Sequence, residues 1–185
     1  MKIDYNAPVI LTFTIAAVMI FLLSVFVFPD LARNFFVVRP PFNASNPWDW
    51  FRLVSHVLGH GNFDHLFNNV LVILLIGPIL EERYGSFNVL WMMLLTALVT
   101  GIINVTISSR GLWGASGIAF LLIILVSIVN VKRNSIPLSF VLIFCIFIGG
   151  EMLAIFEDDN ISQMAHIVGG TIGAILGFFF ARPLN

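Results

Sequence analysis

Six long stretches of the chain are dominated by apolar residues, and short polar segments separate most of them. A helix that crosses a bilayer needs about 20 consecutive, mostly apolar residues. The pattern therefore predicts six membrane-spanning helices, at about 8–28, 65–81, 87–108, 115–131, 136–156 and 164–181. These segments use most of the chain, so we expect an all-α, polytopic membrane protein with a single domain over residues 1–185.

The connection between the first two predicted helices, residues 29–64, is long and rich in proline and aromatic residues. Its aromatic residues include Trp48 and Trp50, and tryptophan rings are favoured where a membrane meets water. We therefore expect this first loop to be partly embedded at the interface, the alternative being a plain linker. The first apolar stretch is too long for a signal peptide and lacks a small-residue cleavage site, so we predict a retained helix.

Composition points to the same environment as the apolar pattern. Of the 185 residues, 59% are hydrophobic and only 10% are charged, whereas soluble domains carry roughly 25% charged residues. The formal net charge of −1 argues against a nucleic-acid partner. A single cysteine, Cys145, leaves no disulfide framework. The lipid bilayer is therefore the expected surrounding of the chain.

Lysine and arginine residues in the connections give a prediction of orientation, because they are enriched on the cytoplasmic side. With the N-terminus inside, the inner side carries five of them: Lys2, Arg83, Lys132, Arg133 and Arg182. The outer side carries four: Arg33, Arg39, Arg52 and Arg110. This small difference favours a multi-pass protein of the cell membrane with a cytoplasmic N-terminus.

Polar residues that are costly in a bilayer fall near the starts of the second, fourth and sixth predicted helices. They are His65 and Asn69, then Ser116, then His166. Ionisable residues inside membranes usually mark function. Because these three helices cross in the same direction, we expect the four side chains to lie at a similar depth, on the extracytoplasmic side.

The types of these four residues predict a hydrolytic site. A serine hydroxyl is a weak nucleophile and needs an adjacent base, a role that histidine fills near neutral pH. We therefore predict Ser116 as nucleophile and His166 as general base. Acyl transfer also needs donors aimed at the developing oxyanion. The side chains of His65 and Asn69 and the backbone N–H of Ser116 are suitable donors.

Small residues recur at every fourth position of the sixth predicted helix: Ala165, Gly169, Gly173 and Gly177. Such stripes let helices approach closely. The fourth predicted helix also begins with small residues, Gly117 and Ala119. If the stripe packs there, His166 comes close to Ser116.

The same residues have plainer interpretations. Ser116 could be a small packing residue, and His166 a buried histidine with its hydrogen bonds satisfied. His65 and Asn69 could form a polar helix start with Asp64 near the N-cap. His60 could brace the first loop instead of serving the site.

The sequence also suggests how several other residues should be interpreted. Arg52 is expected to tie down the first loop by bonding backbone carbonyls. Glu81 lies about 24 Å from His65 along a continuous helix, so it is expected to be structural. His56 and His60 could bind a metal, but no carboxylate or cysteine partner is evident, so no metal is expected. Glu151 stays unassigned, and Gly149-Gly150 could let the fifth predicted helix bend as a gate.

An ordered set of motifs resembles the rhomboid family of intramembrane serine proteases. Gly114-Ala115-Ser116-Gly117 resembles its GxSG motif, and Ala165 to Gly173 resembles AHxxGxxxG. The stretch from His65 to Asn69 resembles HxxxN, preceded by His56 and His60 at matching spacing. Further resemblances are Trp50-Phe51-Arg52, in which Phe51 replaces the family's tryptophan, and Glu81-Glu82-Arg83-Tyr84-Gly85.

This resemblance implies a six-helix bundle of the basic bacterial and archaeal form and a Ser–His dyad without a catalytic aspartate. It implies cleavage of transmembrane proteins in or near their membrane segments, with no metal or organic cofactor. Many members have tyrosine four residues after the serine; Phe120 here keeps the ring but lacks the hydroxyl. An inactive, client-binding relative is the main alternative, and a metal or proton transporter is a third class.

Overall fold

The computed structural model describes residues 3–128 and 163–180, together with the single helical positions 138, 141, 142 and 145. Within them the regular structure is helical, apart from one isolated antiparallel bridge between Val38 and Leu112. Most of the predicted fifth helix, including Gly149, Gly150 and Glu151, lies outside the described residues. The predicted number of six membrane helices therefore stays a prediction.

Seven helices occur in the described part of the chain: α1 (Pro8–Phe26), α2 (Leu31–Phe35), α3 (Pro47–Ser55), α4 (Phe63–Tyr84), α5 (Ser86–Ile107), α6 (Ser116–Ile128) and α7 (Gln163–Phe180). A 3₁₀ turn, His56–Leu58, follows α3. Among these residues α1, α4 and α5 are long and apolar enough to cross a membrane, and α6 and α7 contain shorter apolar stretches. The chain is thus all-α where it is described.

The first connection contains regular structure rather than a simple loop, since it holds α2, α3 and the 3₁₀ turn. Leu53 of α3 is buried, and its backbone lies so close to α5 that a Cβ at Gly101 would come within 2.5 Å of the Leu53 oxygen. Arg52 donates to the Asn34 oxygen from Nε at 3.0 Å and from Nη2 at 2.5 Å. These contacts fix α3 both to the segment before it and to α5.

The start of α4 is set by Asn62, whose side-chain oxygen accepts a hydrogen bond from the backbone N–H of His65 at 2.8 Å. Asparagine is a favoured N-cap because it satisfies one of the free N–H groups of the first turn. The cap therefore lies two residues before Asp64, which belongs to the first turn itself. His65 and Asn69 consequently fall on successive turns of one helix face.

Glu81, near the other end of α4, caps α1. Its two carboxylate oxygens accept hydrogen bonds from the backbone N–H groups of Val9 and Ile10, each at 3.0 Å. The N-cap residue of α1, Ala7, has no side chain that could do this. Because these bonds join the buried Glu81 to the start of α1, α1 begins beside the end of α4 that is opposite to His65.

The centre of the described bundle is α6, in which Leu121, Leu122, Leu125 and Ile128 are all fully buried. Its neighbours are α4, α5 and, over the largest helix–helix contact in the described part of the chain, α7. The helix that begins at Ser116 is therefore surrounded by the helices that carry the other predicted site residues.

Candidate active site

The segment before Ser116 turns through Gly114, which has a positive φ of 110°. That conformation is rarely adopted by residues with a Cβ. A Cβ at Gly114 would also collide with the ring of His65. The chain then enters α6 at Ser116, which is half-buried. Glycine thus allows both the turn and the contact with α4.

His166 lies in the first turns of α7 and is 8% exposed. Its ring stacks on the ring of Phe120, with centroids 4.1 Å apart and an angle of 8° between the planes. Phe120 is one helical turn after Ser116, so both side chains lie on the same face of α6. The stacking therefore sets the imidazole against the face of α6 that carries Ser116.

The small-residue stripe of α7 packs directly on the backbone of α6. A Cβ at Gly169 would overlap the backbone of Gly117, and one at Gly173 would lie 2.8 Å from the Leu121 oxygen. From the other side, a Cβ at Gly117 would lie 3.2 Å from the oxygen of Ala165, the residue before His166. The two helices thus approach most closely at the level of Ser116 and His166.

From α4, His65 contacts the turn before Ser116, and Asn69 follows on the same helix face. The His65 ring is half-buried and fills the space beside Gly114. Asn69, one turn further, is 6% exposed, and its side-chain nitrogen has no hydrogen-bond partner among the described residues. Buried amide donors are nearly always paired in folded proteins. Asn69 therefore offers a donor that is available to a bound group.

His60 and His56 hold the segment before Ser116 from the first connection. The Nε2 atom of His60 accepts a hydrogen bond from the Ala115 N–H at 3.4 Å, and its ring lies edge-on to His65 with centroids 5.0 Å apart. The backbone oxygen of His56 accepts from the Gly114 N–H at 2.9 Å. Both histidines thus contact the predicted nucleophile segment.

Both histidines are neutral at physiological pH. Burial lowers the pKa of His56 to about 4, and burial together with the neighbouring His65 lowers the pKa of His60 to about 4. The His56 ring also lies 3.4 Å from the Thr100 hydroxyl, a contact that the sequence did not indicate. No cluster of three or more possible metal ligands occurs in the described part of the chain.

The side chains of two further predicted residues, Arg52 and Glu81, bond other parts of the chain. Arg52 bonds the Asn34 carbonyl and Asp49, and Glu81 caps α1 at the far end of α4. The structure thus groups His60 and His65 around Gly114 and Ala115, and brings His166 to the start of α6. Asn69 lies one turn after His65 on the same face of α4.

A family model and several known proteins match this chain, and all of them belong to one family. The Rhomboid domain model matches residues 47–183, well over half of the chain. Rhomboid protease GlpG of Haemophilus influenzae is 24% identical over 146 residues, which cover 77% of this chain and 76% of that protein. Rhomboid protease GluP of Bacillus subtilis is 30% identical over 142 residues, covering 74% of this chain.

A chloroplast relative also matches: Rhomboid-like protein 11 of Arabidopsis thaliana is 23% identical over 171 residues, covering 82% of this chain. The aligned part spans 61% of the Arabidopsis protein and 26% of GluP, so the match covers only part of each of these relatives. The family match and the apolar helices α1, α4 and α5 agree with each other. The chain therefore belongs to the rhomboid family and is a multi-pass membrane protein.

Proposed function

We propose that this chain is an intramembrane serine endopeptidase that cleaves transmembrane-anchored proteins in or near their membrane segments. The observation that carries the proposal is the close approach of α6 and α7, which sets His166 against the helix that begins at Ser116. Two relatives are named proteases, in agreement with this activity. The proposed site lies in the cell membrane and opens to the extracytoplasmic side.

In the proposed mechanism the Ser116 hydroxyl attacks the scissile carbonyl carbon while the His166 imidazole accepts its proton. The tetrahedral intermediate collapses, and the imidazolium donates that proton to the leaving amine. Water then attacks the acyl-enzyme, His166 accepts a proton from it, and Ser116 is released with its proton restored. The Phe120 ring supports the imidazole throughout by stacking on it.

The proposed oxyanion donors are the Asn69 side-chain amide, the His65 ring and the Ser116 backbone N–H. The buried side-chain nitrogen of Asn69, which has no partner among the described residues, supports its role. The N–H groups of a first helical turn lack intrahelical acceptors, which favours Ser116 as a donor. His65 is held beside Gly114 and therefore approaches the nucleophile segment directly.

Replacement of the nucleophile tests the proposal. Ser116→Ala and His166→Ala should each abolish cleavage of a transmembrane reporter substrate in proteoliposomes, and Ser116→Ala should abolish labelling by a fluorophosphonate. Ser127→Ala is a matched control, because Ser127 is a buried serine of the same helix whose hydroxyl donates to the Ile124 carbonyl. Its activity should stay at the wild-type value.

Normal turnover by Ser116→Ala would refute the assignment of the nucleophile. The alternative, an inactive rhomboid that only binds membrane clients, predicts no labelling of the wild type and no difference between wild type and Ser116→Ala in client capture. A transporter predicts metal-dependent activity that survives loss of Ser116. The labelling experiment therefore separates the protease from the two alternatives, and client capture and metal dependence separate those two from each other.

A further inference from the structure

Four consecutive residues before Ser116 are each held by the first connection. Leu112 pairs with Val38 through two backbone hydrogen bonds, Trp113 lies against Gly61, the Gly114 N–H bonds the His56 oxygen, and the Ala115 N–H bonds His60. Only the last of these hydrogen bonds uses a side chain as acceptor. The residue directly before Ser116 is therefore held by an imidazole nitrogen.

The hydrogen bonds of His60 define its tautomer. Its Nδ1 atom lies 3.3 Å from the Leu58 carbonyl oxygen, which can only accept, so Nδ1 carries the proton. The Nε2 atom then has a lone pair, and it accepts the Ala115 N–H at 3.4 Å. His60 is 3% exposed, so water does not compete well for either contact. Hydrogen bonds at both nitrogens therefore fix the orientation of the ring.

This hydrogen bond has two consequences for the neighbouring nucleophile. It fixes the peptide unit between Gly114 and Ala115, which directly precedes Ser116. It also occupies the Ala115 N–H, so that this amide is not available to an oxyanion. A misplacement of a reacting group by about 1 Å can lower the rate by about 100-fold.

We infer that His60 is a positioning residue for the nucleophile, acting through the Ala115 amide rather than on the substrate. The inference rests on the proposed function, because it assumes that Ser116 attacks. It differs from a simple brace of the first connection, which would contribute to folding and leave the reactivity of folded molecules unchanged. For this role His60 must provide a hydrogen-bond acceptor at the position of Nε2.

Two substitutions separate these roles. In His60→Gln the side-chain oxygen can accept the Ala115 N–H, whereas in His60→Met a side chain of similar length fills the space without an effective acceptor. We expect kcat of His60→Gln to stay within a few-fold of wild type. We expect kcat of His60→Met to fall by about 10- to 100-fold at nearly unchanged KM. Both are measured per folded molecule in the same proteoliposomes.

The rate of fluorophosphonate labelling provides a readout without substrate binding. It should fall in His60→Met by the same factor as kcat, because it depends on the orientation of the Ser116 hydroxyl. Wild-type labelling and turnover in folded His60→Met, or equal losses in both variants, would overturn the inference. Failure of the proposed function looks different, since wild type would then not be labelled at all.

A measurement on the wild type covers the case in which His60→Met does not fold. Nitrogen-15 NMR of histidine-labelled protein, with His60→Gln used to assign the signal, reports which ring nitrogen carries the proton. The inference requires a neutral ring with protonated Nδ1 and unprotonated Nε2 at pH 7. A protonated Nε2 would contradict it, whatever the stability of the variants.

Discussion

Among single residues, Asn69 gives the sharpest test of the oxyanion site, since it is buried and its side-chain nitrogen has no partner among the described residues. Asn69→Ala should lower kcat by about 100-fold without abolishing turnover, because other donors remain. Thermal stability should be unchanged or slightly higher, since a buried unsatisfied donor contributes no net stabilisation. Turnover of a reporter substrate and thermal unfolding in the same detergent measure the two effects.

Asn68→Ala is the control for this prediction, because Asn68 is the neighbouring residue and is exposed. It should leave kcat unchanged. A loss of stability in Asn69→Ala in step with its loss of activity would instead assign Asn69 to the packing of α4.

At this scale the sequence indicates candidate residues but not their partners. Ser116, His166, His65 and Asn69 stand out because polar groups are costly in apolar helices. The contact between His60 and Ala115 joins residues 55 positions apart, and no local pattern encodes such a distance. The same holds for Glu81, whose structural role was expected but whose partners, Val9 and Ile10, are 72 and 71 positions away.

Between elements, the contact of α6 with α7 makes a prediction about two adjacent glycines. A Cβ at Gly169 would overlap the Gly117 backbone, which cannot move without shifting α6, whereas a Cβ at Gly170 would lie 3.7 Å from an Ile124 side-chain carbon. Gly169→Ala should therefore separate the helices near Ser116 and His166 and lower kcat by about 10-fold or more. Gly170→Ala should retain activity near the wild-type value.

The measurement is reporter cleavage by both variants, normalised to the folded fraction and accompanied by thermal unfolding. Glycine to alanine is favourable within a helix, so Gly170→Ala is expected to be as stable as wild type or more so. Equal activities of Gly169→Ala and Gly170→Ala would contradict the importance of the close approach.

The described elements show where apolar patterning is informative. It located α1, α4 and α5 closely, because their apolar runs are long. It missed α2 and α3, which have five and nine residues. Helices of that length are marginal alone and depend on tertiary contacts such as that of Leu53 with Gly101. It also placed the start of α4 at residue 65 instead of Phe63, because it did not identify Asn62 as the capping residue.

For the molecule as a whole, Glu81 caps α1, so a substitution of Glu81 should lower the stability of the fold without lowering the activity of folded molecules. Glu81→Gln keeps one oxygen acceptor but replaces the other with a donor, so one bond to Val9 or Ile10 is lost. The free energy of unfolding should fall by about 1–2 kcal/mol. Activity per folded molecule should persist, because Glu81 lies at the end of α4 opposite to His65. The exposed Glu82→Gln is the control.

The orientation of the chain in the membrane can be predicted from which ends of its helices lie together. The first connection and the starts of α4, α6 and α7 carry the candidate site, whereas Glu82 lies near the opposite end of α4. With a cytoplasmic N-terminus, a cysteine at the exposed position 45 faces outwards and one at 82 faces the cytoplasm. In a Cys145→Ser background, a membrane-impermeant maleimide should label Ser45→Cys in intact cells, and Glu82→Cys only after permeabilisation. The reverse pattern would invert the proposed topology and move the site to the cytoplasmic side.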